Sequence, residues 1–542
     1  MNYKTILKPM MIGVVSLFLL AGCASMSKMM MDMMIGKTDD LDKTNIEVKY
    51  YTNIYPEGTE SVTSSVMGTE EEPWEAGRDF VFTAFLEKGS TSIVPFMQLE
   101  GNVNYNGTSA PYLGAGHFGK SYAGGAPDKI NIDITSMKGQ NLKFNVDKAP
   151  RIKIISINGQ ENGAFKLDPS KGLKLKLQVP QNLRGKYMTA WLTFDAFAAK
   201  AFNPLAIFKA QETVYLSPQM LRHGQTGNNA STNFDSDNYL LIKLATEKQI
   251  QHAKHNIKVI YEAMDGKPME IIKDIDLVDK TQATVELDGG FKANVSTRGA
   301  MYSKPLKSAR KLALVNLTID GTLVTTETST STDGDREITT TNTWQFPDKP
   351  LKDWDTYMGQ VYKDVRDVFA SEYRVSFLPR SKVTAAKAYK AMAVDFEEQY
   401  TSSVIKHSYQ GTKPIKVPTT DANPVDINHP LQKTTSPYKA LMKELGVDGL
   451  VFVTISSVVP KTEVITLNSK MNIQVIGYGV TKDSSHLSYL KADFETGNGR
   501  GTNNALYKIM RQDHVRQTLK TGAQKLDAMN KENGFYDVWA LR

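Results

Sequence analysis

The sequence predicts a multidomain fold in which two β-rich, sandwich-like modules precede an α/β (α+β) domain. Three observations predict it. A chain of 542 residues is too long for one hydrophobic core. From Asn45 to about residue 300, short apolar-polar alternations recur between Gly and Pro punctuation. Past Lys304, runs with helical spacing alternate with buried-type strands. The expected divisions are 1–22, 23–45, 46–160, 161–303 and 304–542.

Residues 1–22 have the layout of a secretory signal peptide. Lys4 and Lys8 form a positive start, Met10 to Leu20 an apolar core, and Ala21-Gly22 a small pair at the cleavage flank. The apolar run is too short to cross a bilayer, which takes about 20 residues. Cys23, the only cysteine of the chain, follows directly. With no second Cys there is no intramolecular disulfide. Leu20-Ala21-Gly22-Cys23 resembles a bacterial lipobox. That resemblance implies a diacylglyceryl group on the Cys23 thiol, cleavage after Gly22 and acylation (palmitate) of the new amine. Ala24, rather than Asp, after the cysteine implies the outer membrane, with the protein lipid-anchored and facing the periplasm. Residues 23–45 then read as a flexible tether. Met26, Met29, Met30, Met31, Met33 and Met34 crowd into it, but no His or second Cys joins them as a soft metal site, and no metal is expected.

Composition excludes some classes. The formal charge is +7, and loss of Lys4 and Lys8 with the signal leaves +5, too mild for a nucleic-acid binder of this length. Apolar content of 41% and charged content of 23% are ordinary for globular chains.

The first β module is read from Ile46 to Tyr51, Phe80 to Phe85, Ile130 to Ile134 and Ile152 to Ile157. The second is read from Leu173 to Val179, Lys186 to Phe194, and a hairpin over 257–273 that turns at Asp265-Gly266. The boundary between them is expected near residues 158–163. The last domain opens with the buried-type strand Lys311 to Leu317 and a Thr-rich ribbon turning at Asp333-Gly334-Asp335. Helices are expected over 353–371, over 381–398 with Ser381 as cap, over 438–445 closed by Gly446, and over 502–533 closed by Gly534. A short strand is read over 373–378, further strands over 450–459, 464–467 and 472–480, and a loop over 408–435.

The run Leu445-Gly446-Val447-Asp448-Gly449-Leu450-Val451-Phe452-Val453 resembles the Gly-Ala-Asp-hydrophobic step of the periplasmic CsgG/LpoB-like module, found in the curli-secretion lipoprotein and the penicillin-binding-protein activator. The strand at Lys311 and the helix-to-strand order fit as well. The resemblance covers residues about 305–542, and the insertion at 408–435 and the two leading β modules depart from it. It implies a module that docks a protein partner in the envelope. Charge on both faces of the 322–344 ribbon argues against a membrane pore.

Several strings imitate chemistry. Gly114 to Ser121 satisfies the P-loop pattern, yet Tyr122-Ala-Gly-Gly-Ala-Pro127 follows where a helix must begin, so no nucleotide is expected. Arg222-His223-Gly224 resembles the box of the histidine phosphatases, with His223 as nucleophile and Arg222 on phosphate. Its surroundings are hairpins rather than the parallel sheet that box requires. His252 and His255 are three apart, compatible with one helical turn, but without a third ligand. Asp333/Asp335 and Asp235/Asp237 read as turns. No catalytic set and no cofactor is expected. The reading is an anchored scaffold or assembly factor; the alternatives are a periplasmic hydrolase using His223 and a ring-forming secretion component.

Overall fold

A computed structural model describes residues 32, 35–53, 56, 77–90, 95–163, 165–168, 170–196, 199–218, 220–221, 238–252, 254–271, 282–287, 291–297, 303–418, 436–462, 466–482, 486–497, 506–532 and 534–539. They are mostly β, in several sheets with a few helices. The chain forms two compact units, Met1–Leu277 and Val278–Arg542. Among the described residues no helix is long and apolar enough to cross a bilayer.

Among the described residues, the first unit is built on a sheet of eleven strands. Its centre is the antiparallel pair Asn238–His252 and His255–Ile271. At about 3.3 Å per residue these strands run roughly 50 Å. That length lets them serve two packed halves. In one half, Thr44–Thr52 lies parallel to residues 257–263 and antiparallel to Asp79–Glu87. The four-stranded sheet of Gly101–Tyr105, Thr108–Ser109, Lys129–Ser136 and Asn141–Asp147 shares a core with this half. Alternation drives the burial: Ile130, Ile132 and Ile134 are buried while Lys129 and Asn131 are exposed. In the other half, Tyr187–Ala196 pairs with residues 239–244 and Phe165–Leu167 with residues 269–271. A three-stranded sheet of Lys153–Ile157, Leu173–Gln178 and Thr213–Leu216 completes the unit.

This arrangement corrects two expectations. The main sheet crosses the boundary expected near residues 158–163, because the long pair is shared by both halves. Asp265-Gly266 is no turn; both residues lie inside the strand His255–Ile271. The Asp265 carboxylate accepts the Ile154 backbone N–H at 2.6 Å, so it is fixed from outside rather than by its own turn.

Among the described residues, the second unit is built on a nine-stranded sheet ordered Gln282–Leu287, Phe291–Ser296, His486–Gly497, Asn468–Tyr478, Gly449–Val458, Lys311–Thr322, Val404–Ser408 and Gln399–Tyr400, with Ser376–Phe377 beside the Lys311 strand. The first two strands fall within 161–303 but belong to this sheet, where 292–296 pair with 491–495. Lys311–Thr322 and Gly449–Val458 are parallel neighbours at its middle. Residues 312–319 are buried without interruption, the pattern of a strand covered on both faces. One face packs on the helices Leu351–Tyr373 and Gln512–Glu532, the other on Arg380–Ala385, Lys387–Ala391 and Pro437–Leu445.

The helix expected over 381–398 is therefore two short ones. Ala386 is extended between them, and Ser381 lies inside the first, which Pro379 caps. The strand expected over 373–378 shrinks to Ser376–Phe377, because the long helix runs on to Tyr373. The terminal helix is broken at Arg511, whose φ of 51° is left-handed. Gly534, at φ 71°, takes its N–H to the Lys531 carbonyl and ends that helix.

Candidate functional site

Gly22, Cys23, Arg222 and His223 lie outside the described residues, as do Asp235 and Asp237. The first described residue after the cysteine is Asp32. Its Oδ1 accepts the Tyr112 hydroxyl at 2.6 Å and the Ala115 backbone N–H at 2.8 Å. Burial, reinforced by Asp32, pushes the Tyr112 phenol well above its ordinary value. Gly36–Thr38 then adds a parallel strand to Phe96–Leu99. Asp40 accepts from Lys138 Nζ at 2.8 Å, from Gln140 Nε2 at 3.0 Å and from the Asp42 N–H at 3.0 Å. Lys138, then Gln140, hold this carboxyl far below the usual carboxylate range. Asp42 pairs with Lys254 and lies 3.5 Å from His255 Nε2. The segment expected to be a free tether to residue 45 is thus seated on the first unit at Asp32 and again from Gly36 onward.

His252 and His255 face each other across the hairpin end. They do not share a helical turn. Burial lowers the His255 pKa, against the pull of Asp42. Among the described residues, no group of three or more His, Cys, Asp or Glu is placed to hold a metal ion.

The P-loop-like string is a β-hairpin. Gly114, Ala115 and Gly116 turn at φ 101°, 50° and 77°, and His117–Tyr122 returns as a strand with Lys120 opposite Val81. Packing explains its glycines. A Cβ on Gly116 would stand 2.5 Å from the Met97 carbonyl oxygen, and one on Gly119 would stand 2.7 Å from Leu113 Cδ1. His117 is buried between the Phe82 and Phe96 rings, at centroid distances of 5.0 and 4.8 Å. That burial brings its imidazole down to about 4, with Lys49 adding to the shift.

Two carboxylates that the sequence reading missed organise the far end of this half. Asp79 is fully buried and accepts from Arg151 at 2.8 Å, the Ala126 N–H at 2.9 Å and the Asn53 N–H at 3.1 Å. Asp265 binds Ile154 and, at 3.4 Å, Asn53 Nδ2. Their donors are distant in sequence, so no local pattern announces them.

In the second unit the Leu445-to-Val453 run is mechanical. Gly446, at φ 61°, closes the helix Pro437–Leu445. Asp448 Oδ2 accepts the backbone N–H of Arg310 at 2.8 Å and of Lys311 at 2.9 Å, which aligns the two parallel strands. A Cβ on Gly449 would lie 2.7 Å from the Ile476 carbonyl oxygen. Both ring nitrogens of His407 face carboxylates: Asp355 at 3.2 Å and Glu398 at 3.5 Å. Lys304 Nζ donates to the Gly479 carbonyl at 3.2 Å and lies 5.0 Å from the Trp539 ring centre. Burial lowers its pKa to about 8.

The ribbon stands apart. Val324–Asp333 and Arg336–Gln345 pair only with each other among the described residues. Every residue from Thr326 to Thr343 is exposed. Its base is held by Thr325 Oγ1 on the Val459 carbonyl at 2.6 Å and by Lys461 on Glu327 at 2.7 Å. Two strands alone are marginal in water, and each carries an open outer edge.

No family model matches the chain, and no curated protein matches it.

Proposed function

We propose that this protein is a lipid-anchored component of the outer membrane that acts as a scaffold or assembly factor for an envelope protein. The observation that carries this reading is Leu19-Leu20-Ala21-Gly22-Cys23, which sets the only thiol of the chain at the end of a short apolar run. The diacylglyceryl group and an amide-linked acyl chain at Cys23 give three acyl chains, more than the two that stable anchoring takes. The ribbon supports the binding half of the reading. Its open edges suit an added strand from a partner, where main-chain hydrogen bonds give affinity and alternate side chains give selectivity.

The test is a crosslinked pull-down from membranes, comparing wild type, Cys23→Ser, and a variant whose ribbon 324–345 is replaced by a short turn. Cys23→Ser is expected in the soluble fraction, and the ribbon variant on the membrane without its partner. An unchanged partner set in both variants contradicts the proposal.

A further inference from the structure

We propose that one end of the first unit, the end bearing the turns at 87–90, 137–139 and 252–255, faces the lipid surface on a leash too short to let it turn away. This rests on the reading of Cys23 as the lipid-bearing residue.

The argument is length and place. Asp32 is seated at the Gly114–Gly116 turn by hydrogen bonds from the Ala115 N–H and the Tyr112 hydroxyl. Nine residue steps separate Cys23 from Asp32, and a fully extended chain covers at most about 3.6 Å per step, hence a limit of about 30 Å.

Strand register places the other turns at the same end as that seat. His117, just past the seat, pairs with Ala84, three residues before Glu87 ends its strand. Lys88 Nζ donates to the Asp42 carbonyl at 2.7 Å. The 252–255 turn reaches Asp42 through Lys254 and His255. The Met137 N–H donates to the Glu100 carbonyl at 2.8 Å, and the Glu100 N–H to the Thr38 carbonyl at 2.7 Å.

The chemistry of this end suits apposition rather than charge-driven binding. Met137, at its tip, is 78% exposed, the highest exposure among the exposed large apolar side chains of the described residues. Lys138 and Lys254 are paired with Asp40 and Asp42. Asp39, Glu87 and Glu100 are also exposed there, as are Lys37, Lys43 and Lys88, so the surface carries no strong excess of either sign. The leash, rather than anionic lipid, supplies the orientation.

The test uses the lipidated full chain in phosphatidylcholine/phosphatidylglycerol vesicles. With the Cys23 sulfur lipid-bound, Met137→Cys supplies the only free thiol for an environment-sensitive fluorophore. Tyr215→Cys is the control: its side chain is 56% exposed, and it lies in the three-stranded sheet anchored at Asp265. Asp265 is ten residues from His255 along one strand, about 33 Å. Nitroxide-bearing lipid is expected to quench the label at 137 several-fold more than at 215, with little change when phosphatidylglycerol is left out. Twenty Gly/Ser residues inserted after Met26 should erase the difference. Equal quenching at both sites in vesicle-bound protein overturns the orientation alone. A difference that survives the insertion overturns the leash. Protein recovered free of vesicles overturns the anchor reading and the orientation together.

Discussion

In the first unit, Asp79 gathers N–H groups from Asn53, Ala126 and Arg151, and Asp265 gathers them from Asn53 and Ile154. Segments far apart in sequence are tied together by buried carboxylates. In the second unit Gly446 closes its helix locally, one half-buried carboxylate, Asp448, ties the N–H groups of Arg310 and Lys311, and the interior is held by large apolar side chains such as Trp354, Met358 and Phe369 between helix and sheet. The difference teaches where each unit is vulnerable. Losing one charge loosens several loops of the first. The second yields mainly to cavities.

The largest expected effect tests the second half of that contrast. Trp354 is fully buried in the long helix, and Trp354→Ala should cost about 4 kcal/mol, read as a lower urea midpoint together with faster amide exchange confined to residues 278–542. Exchange that quickens equally in both units would break the comparison. Asp79→Ala should cost about 3 kcal/mol, since it strands two backbone N–H donors as well as Arg151; amide exchange should quicken around 53, 126 and 151 and leave the second unit unchanged.

Acid and alkali should then separate the units. His117 titrates at about 4 when folded, below its ordinary 6.5. Between those values the unfolded chain holds the extra proton, so the contribution of His117 to the stability of the first unit is flat above pH 6.5 and falls by on the order of 3 kcal/mol as pH drops to 4. His117→Phe should flatten that part of the urea-midpoint profile. Lys304 titrates at about 8 against 10.5. The unfolded chain again holds the extra proton between them, so the second unit gains stability as pH rises from 8 towards 10.5, and Lys304→Met removes the rise. At the small end, Glu327→Ala breaks an exposed pair with Lys461 and should change stability by less than about 0.5 kcal/mol. A larger loss would show that the ribbon is integral to the second core.

The same contrast governs what could be read in the sequence. Met358, Val361, Val365 and Val368 announce the long helix by spacing, and Ser436-Pro437 and Gly446 mark the ends of the next. These signals are local, as is the Cys23 string. The strand alternations around Ile46, Phe80, Ile130 and Leu173 were legible too. Partners were not. Nothing near Phe291–Ser296 says that it pairs about 200 residues away, and nothing near Asp32 says that it binds Tyr112. Asp265-Gly266 misled because its fixing contact comes from Ile154. Sequence strings also promised chemistry that packing explains: the glycines of Gly114–Ser121 make room for Met97 and Leu113.

The central claim is that Cys23 ties the chain to a membrane, and the most direct measurement is the mass of the mature N-terminal peptide, taken from protein extracted from membranes. A peptide that begins at Cys23 and carries a diacylglyceryl group with an amide-linked acyl chain is the predicted result. An N-terminal peptide that retains residues before Cys23, or a Cys23 with a free thiol, would contradict it.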